Sequence, residues 1–388
     1  MPAELRKGAL AEPVVSLPGL PVFCNALYPT AAEALGAPRG DLELMYSPVT
    51  GYLWNRAFDP ALVAYNPAYE NSLHYSPRFA TFVESLADRL VRRYDLHGRQ
   101  IVEIGSGEGN FLALLCERGP NQGIGYDPSF DPSRTKVTTS ERMRIVREYY
   151  PTDRDVDADL VVCQHVLEHV PDPAGLVEGV RRSLEGRPGA AVYFEMPDAT
   201  YMVEQLAVWD LIYEHASYFS APTLAWLFER AGFELTEVDR SFGDQYLYVE
   251  ARPGSARADA VPDPAALGKL TELVSSFGGH VRQLAATWGT RLAELVGTGR
   301  VAVWGAGSKG VTFLNLVDAG RDVAFVVDVN PNKSGLHVPG TGQVVVAPEA
   351  LRGQALDTVL VMNPLYVDEI RRIVTDLGSN AQVIAISG

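Results

Sequence analysis

Three segments of this 388-residue sequence combine residue types and spacings that could do chemistry. The first is Glu103-Ile104-Gly105-Ser106-Gly107-Glu108-Gly109-Asn110. Its glycines allow a strand to turn sharply and let a ligand approach the backbone, and Asn110 would start a helix whose free N–H groups face that ligand. Asp127 follows 18 residues after Gly109, where a carboxylate could chelate the two hydroxyls of a ribose. Both S-adenosylmethionine (SAM) and NAD suit such a turn. Glu103 and Glu108 make it acidic, which favours the cationic amino-acid end of SAM and would repel a pyrophosphate. The second segment is Tyr213-Glu214-His215 within an apolar run. Histidine is the natural general base near neutral pH, and Tyr213 and Glu214 could orient it or hold a substrate oxygen. A histidine tying a lid to the core is the alternative. The third is Trp304-Gly305-Ala306-Gly307-Ser308-Lys309-Gly310, with Asp328 18 residues after Gly310. It reads as a tight ligand-free turn, as a site for a phosphate or head group at Ser308 and Lys309, or as an NAD site.

Smaller signals surround these. His74 could touch substrate or serve a loop. His165 and His169 are four residues apart and flank Glu168, but without HExxH order they read as cofactor-pocket residues beside Gln164, and no metal is expected there. Cys24, Cys116 and Cys163 lack CxxC spacing and read as buried small side chains.

The elements that must position these residues alternate between strand and helix. Residues 76–95 have helical spacing, with Phe79, Val83, Leu86 and Leu90 on one face. The strand QIVEIG, the helix NFLALLCERG and the strand QGIGYD then open a βαβ unit. DADLVVCQ and GAAVYFEMP read as strands, SAPTLAWLFERAGF as a helix, and QYLYVEARP as the last strand of this unit. A Pro/Ala/Asp-rich stretch, 253–266, precedes one or two helices to about residue 295 and a second βαβ pattern from RVAVWGAG onward. The expected division is an irregular module over 1–75, a SAM-binding α/β domain over 76–255, and a helical linker with a Rossmann-like α/β domain over 256–388.

Composition narrows the function. Forty-seven per cent hydrophobic residues suffice for real cores, and the net charge of −15 comes without the basic stripe that a nucleic-acid partner requires. No apolar run reaches membrane-spanning length and the first residues lack a signal core, so a cytoplasmic enzyme acting on a small molecule, as a monomer or homodimer, is the expectation.

Gln164-His165-Val166-Leu167-Glu168-His169 resembles the HVLEH-type segment of SAM-dependent methyltransferases. Tyr213 to Phe219 resembles the YEHxSYF segment of the nucleotide-sugar C-methyltransferases, which methylate the carbon beside the ketone of 4-keto-deoxysugars in antibiotic-sugar synthesis. The same family likeness extends to Phe58-Asp59-Pro60, Tyr69-Glu70-Asn71-Ser72-Leu73-His74, the third glycine segment, Asp328 to Lys333 and Asn363-Pro364-Leu365-Tyr366. The resemblance implies a class I (Rossmann-like) SAM methyltransferase fold with a small N-terminal module and a C-terminal Rossmann-like domain. It implies SAM at Glu103, Gly105, Ser106, Gly107, Gly109, Asn110, Asp127, Gln164 and His165, giving S-adenosylhomocysteine. It implies His215 as the base that removes an α-proton, with Tyr213 and Glu214 assisting, and Tyr69, Asn71, His74, Ser308 and Lys309 on the substrate side. Family members carry two cysteine pairs on an N-terminal zinc. Here Ser47-Pro48-Val49-Thr50-Gly51 stands where the second pair belongs, so no zinc is expected. That departure leaves a non-sugar acceptor, and methylation at carbon, nitrogen or oxygen, open. An NAD-dependent oxidoreductase and a non-catalytic SAM-binding partner are the readings from other classes.

Overall fold

A computed structural model describes residues 3–63, 74–133, 142–257 and 259–386. Along the chain, β1 (Val15–Pro21), α1 (Ala31–Leu35), β2 (Arg39–Tyr46) and β3 (Leu53–Asn55) come first. They are followed by α2 (Pro77–Tyr94), β4 (Gln100–Ile104), α3 (Asn110–Arg118), β5 (Gln122–Tyr126), β6 (Met143–Val146), β7 (Leu160–Gln164), α4 (Pro173–Ser183) and β8 (Ala191–Pro197). Next are α5 (Ala199–Glu204), β9 (Ser217–Tyr218), α6 (Ala221–Ala231), β10 (Phe233–Ser241) and β11 (Tyr246–Pro253). The long α7 (Pro264–Thr298) leads to β12 (Val301–Trp304), α8 (Ser308–Leu316), β13 (Phe325–Val327), β14 (Val345–Val346), β15 (Thr358–Val361), α9 (Val367–Asp376) and β16 (Gln382–Ala385).

These strands make three sheets. The central one has seven strands in the order β10-β11-β8-β7-β4-β5-β6. From β6 to β8 its neighbours run parallel, and β11 runs antiparallel to β8. The chain leaves β4 toward β5 and β6, then returns to lay β7 on its other side. That reversal opens a crevice at the carboxyl ends of β4 and β7, where open α/β sheets bind ligands. The α/β class and the Rossmann-like winding expected from the sequence are thus found. The C-terminal sheet is parallel throughout, in the order β14-β13-β12-β15-β16, and has its own switch point between β12 and β15.

The local reasons are ordinary. Ser76 caps α2 through its side chain and Pro77 stands at its first turn; Phe79, Val83, Leu86 and Leu90 are buried. The helix over 264–298 is one continuous element rather than two. Its buried face runs from Leu267 to Leu292, and Gly278 lets the Val14 carbonyl approach to where a side chain would collide with it. Sequence reading passed over β6 and β10, which are the two edge strands. In β10, Leu235 and Val238 alternate with Glu234, Glu237 and Asp239, so its apolar signal is diluted.

The N-terminal sheet, in the order β1-β2-β3-β9, matters most for the site. Its fourth strand is not N-terminal at all: β9 comes from the segment right after His215 and pairs Leu53 with Tyr218 and Trp54 with Ser217. The turn between β2 and β3 holds Ser47 and Thr50. Ser47 Oγ donates to the Lys7 carbonyl at 2.6 Å, and Thr50 Oγ1 donates to the Leu5 carbonyl at 2.5 Å. The two hydroxyls therefore pin the start of the chain to this turn, and both residues are buried. Removing either leaves a buried carbonyl without its donor. Ser47→Ala and Thr50→Val should each lower stability by about 1–3 kcal/mol, read as a drop in the urea midpoint at unchanged slope. Unchanged midpoints would show that the clasp does not hold the module.

Candidate active site

The glycine turn after β4 is built by three left-handed residues: Gly105 (φ 68°), Gly107 (φ 53°) and Gly109 (φ 82°). Their duties differ. A side chain on Gly105 would strike Val166 and one on Gly109 would strike Ile145, so these two serve packing. Gly107 has open space where a side chain would stand, which leaves its backbone exposed to a ligand. Asp127, at the tip of β5, accepts from the Gly107 N–H at 2.7 Å and from the Ser129 N–H and hydroxyl.

Glu103 is 4% exposed, and its Oε2 has no hydrogen-bond partner in the structure. Burial, with Asp127 adding to it, pushes its carboxyl up to about 8. A buried acid with one oxygen left unpartnered suits a cationic ligand, whose charge would draw the proton off. An adenosine diol at Asp127, an open backbone at Gly107 and an unsatisfied carboxylate at Glu103 together fit the three parts of SAM.

The three segments converge on one cavity of about 1020 Å³. That is at the top of the ~300–1,000 Å³ range for one drug-sized ligand, so a cofactor and an acceptor fit together. Glu103, Gly105, Ser106, Gly107, Asn110 and Asp127 line one side. Gln164, His165, Glu168, His169 and His215 line the middle. Gly305, Gly307, Ser308, Lys309 and Asp328 line the far side, with His74 at the rim. Tyr69 and Asn71 lie outside the described residues.

His215 is held by its neighbours in sequence. The Asn55 N–H donates to the Ala216 carbonyl, and the Tyr52 hydroxyl meets Ser217 Oγ at 2.6 Å. Tyr218 OH donates to the Ile212 carbonyl and closes the segment on itself. His169 Nδ1 lies 3.1 Å from the Glu214 carbonyl. Tyr213 and Glu214 turn away from the cavity. The Tyr213 oxygen accepts the Asp59 N–H at 2.9 Å while its ring stacks on Phe58, and Glu214 Oε1 accepts the Cys24 N–H at 2.6 Å. In this geometry they fasten the segment to the N-terminal module rather than reach the cavity; the Cys24 N–H that Glu214 accepts would otherwise be buried without an acceptor.

Electrostatics separates the histidines. Burial, reinforced by His169, pushes His215 down to about 3, so its imidazole is neutral at working pH. Burial also opposes charge on His165, but the Glu168 carboxylate raises it overall. Glu168 is lowered despite its burial, because His165, His169 and His215 surround it. Gln164 Nε2 donates to Glu195 Oε1 at 3.0 Å, and the His165 ring meets the Tyr246 ring edge-on at 4.4 Å. Sequence reasoning did not single out Glu195 or Tyr246; they come from neighbouring strands, and only sheet order brings them here.

The C-terminal glycine turn repeats the first in outline. Gly305 is left-handed (φ 114°) with open space above it, and Asp328 accepts from the Ala306 N–H at 2.8 Å as Asp127 does from Gly107. Lys309 Nζ sits 2.5 Å from both Asp210 oxygens, and Lys333 Nζ donates to the Ala306 carbonyl. The Lys309–Asp210 pair joins residues 99 apart in sequence and was invisible to motif reading.

Comparison with known proteins agrees with this architecture. The family described as "Methyltransferase domain" matches residues 75–238, and that described as "C-methyltransferase C-terminal domain" matches residues 265–384. The chain is 26% identical over 309 residues to the C-methyltransferase NovU of Streptomyces niveus, covering 74% of this chain and 72% of that one. It is 30% identical over 120 residues to the ubiquinone biosynthesis O-methyltransferase of Methylococcus capsulatus, spanning 29% of this chain and about half (49%) of that protein. Solved structures with a similar arrangement include magnesium protoporphyrin IX methyltransferase of Synechocystis with bound S-adenosylhomocysteine (14% identity, TM-score 0.36, 46% of this chain and 84% of that one). CalO1, a methyltransferase in calicheamicin biosynthesis, is another (18%, TM-score 0.35, 44% and 54%).

The raised Glu103 has a consequence for the ligand-free protein. Its folded-state value of about 8 exceeds the ordinary 4.5, so its contribution to stability is full below 4.5 and is lost as pH rises through 8. Glu103→Gln should match the wild type in urea unfolding near pH 5 and exceed it above pH 8. Equal stabilities at both ends would contradict the burial argument. With its sheet, its cavity and both family matches in view, the chain is a SAM-dependent methyltransferase, similar in its C-terminal part to the C-methyltransferases.

Proposed function

We propose that this enzyme methylates a carbon beside a carbonyl in a small acceptor, with His215 as the base, and that the acceptor is a nucleotide-linked keto-deoxysugar made for a natural product. The observation that carries the reading is the placement of a buried imidazole, His215, in the cavity that both glycine turns line. NovU is named a C-methyltransferase and matches 74% of this chain, and the C-terminal part separately matches the family described as "C-methyltransferase C-terminal domain". That favours carbon over the nitrogen or oxygen acceptors left open by the sequence.

Bound SAM supplies an electrophilic methyl group. Glu103 would take its ammonium group, the Gly107 backbone its amino-acid portion, and Asp127 its ribose hydroxyls, with Gln164 and His165 forming the wall beside it. A carbon acceptor must first be made nucleophilic. His215, uncharged at working pH, would accept the α-proton, and Glu168 beside it would stabilise the imidazolium that results. The low dielectric of the closed cavity strengthens that pairing. Tyr213 and Glu214 act as positioning residues: by holding the Asp59 and Cys24 N–H groups they fix the direction of the next side chain.

Ser308 and Lys309, at the first turn of α8, would receive the acceptor's anionic head group. Lys309 already leans on Asp210, so an arriving phosphate would share or replace that partner. His74, which lines the cavity, would meet the acceptor.

His215→Ala should lower turnover about 10²–10⁴-fold while the affinity for SAM, read by calorimetry, stays at the wild-type value. Full turnover in this variant with the true acceptor would defeat the general-base role.

A further inference from the structure

The cluster around His215 has a property that proton abstraction does not require. Glu168, His169 and His215 each present one ligand-type atom, and the three atoms lie within 4.8 Å of one another. Glu168 and His169 sit side by side in a 3-10 turn, Leu167–His169, so their spacing on that turn differs from the helical i, i+4 pattern of a familiar metal motif. His215 reaches them from the segment after β8, and the two imidazole rings stand 4.9 Å apart at 76°. No local sequence pattern contains this set.

Two observations suit a cation at this set. Glu168 Oε2 and His215 Nδ1 are buried and have no hydrogen-bond partner, and their residues are 2% and 7% exposed. Each would lose about 1–3 kcal/mol by staying unsatisfied. In addition, His169 Nδ1 faces the Glu214 carbonyl at 3.1 Å, and a nitrogen facing a carbonyl oxygen must carry the hydrogen. The other ring nitrogen, Nε2, then points toward Glu168 Oε1, 4.0 Å away. A ligating histidine is normally oriented in this way, by donating its second N–H to a backbone carbonyl.

We propose that Glu168, His169 and His215 form a binding site for a divalent transition-metal ion such as Zn²⁺, and that filling it occupies the His215 lone pair and stops proton abstraction. The inhibitory half rests on His215 being the base; the binding half does not. Two imidazoles and one carboxylate select zinc, cobalt or nickel over magnesium and calcium, which prefer oxygen ligands. Metal–ligand distances of about 2.0–2.1 Å bring tetrahedral ligand atoms to about 3.3 Å from one another, so the three side chains need close in by only about an ångström or so. All three line the cavity, which leaves a coordination position open to water or to an oxygen of the acceptor.

Cobalt is the suitable probe because its bound form is coloured. The full-length protein, stripped with EDTA, is titrated with Co²⁺ and followed by visible absorption. Activity with acceptor and SAM is measured in parallel with added Zn²⁺. The expected result is one equivalent of Co²⁺ with d–d bands of a four- or five-coordinate nitrogen and oxygen site, displaced by Zn²⁺ and unaffected by excess Mg²⁺. Glu168→Gln and His169→Ala should each weaken Co²⁺ binding at least tenfold. Glu168→Gln preserves shape, so it remains informative if His169→Ala fails to fold. Zn²⁺ should suppress turnover and EDTA should restore it. Absence of a stoichiometric cobalt spectrum, a thiolate charge-transfer band, or unchanged affinity in Glu168→Gln would overturn the site. Cobalt bound at this site without loss of turnover would instead overturn the inhibitory half and count against His215 as the base.

Discussion

A two-residue strand pairing holds the site together. Ser217 and Tyr218 lie against Trp54 and Leu53, and through that contact the N-terminal sheet is completed by a strand from the methyltransferase part of the chain. The segment just before it, Tyr213 to Ala216, is thereby stretched between two bodies. Hydrogen bonds to Asn55, Asp59 and Cys24 fix its N-terminal side, and His169 fixes the other. Without the pairing, His215 would sit on a loop long enough to sample many positions. With it, the imidazole is buried, neutral and directed into the cavity. The polar side chains at 47 and 50 act one step further back, by tying the start of the chain to the turn that presents Leu53 and Trp54.

The cavity is electrostatically divided along the same lines. On the cofactor side it holds an unsatisfied buried acid, Glu103, ready for a positive group. On the far side, Lys309 and Lys333 face the second glycine turn and are balanced by Asp210 and Asp328. Between them stands the Glu168–histidine cluster. A cationic methyl donor would meet the buried acid at one glycine turn, while the lysines at the other are already paired. The Lys309–Asp210 pair also links the C-terminal domain to the segment that carries His215, which lies five residues after Asp210.

Much of this could be read in the sequence. The strand–glycine–helix units were visible because period-2 and period-3.6 patterns are local; Glu103 and Asp127 stood out at strand ends, and His215 as a histidine within an apolar run. What stayed hidden depends on residues distant along the chain. The strand at 217–218 is too short to carry a pattern, and its partner lies some 160 residues earlier. Tyr213 and Glu214 carry the right chemistry for catalysis, yet the backbone N–H groups of Asp59 and Cys24 claimed them, and only the fold shows where those groups lie. The edge strands β6 and β10 escaped notice because one face meets water and dilutes their apolar signal.

The central claim is that a carbon acid is deprotonated by this cavity before any methyl group moves. Incubating the enzyme with a nucleotide-linked keto-deoxysugar in D₂O, without SAM, and following the α-proton by NMR tests it most directly. The account predicts enzyme-dependent exchange of one α-proton, abolished in His215→Ala. A ketone methylated by the enzyme in the presence of SAM but showing no exchange in its absence, with S-adenosylhomocysteine added to complete the site, would contradict it.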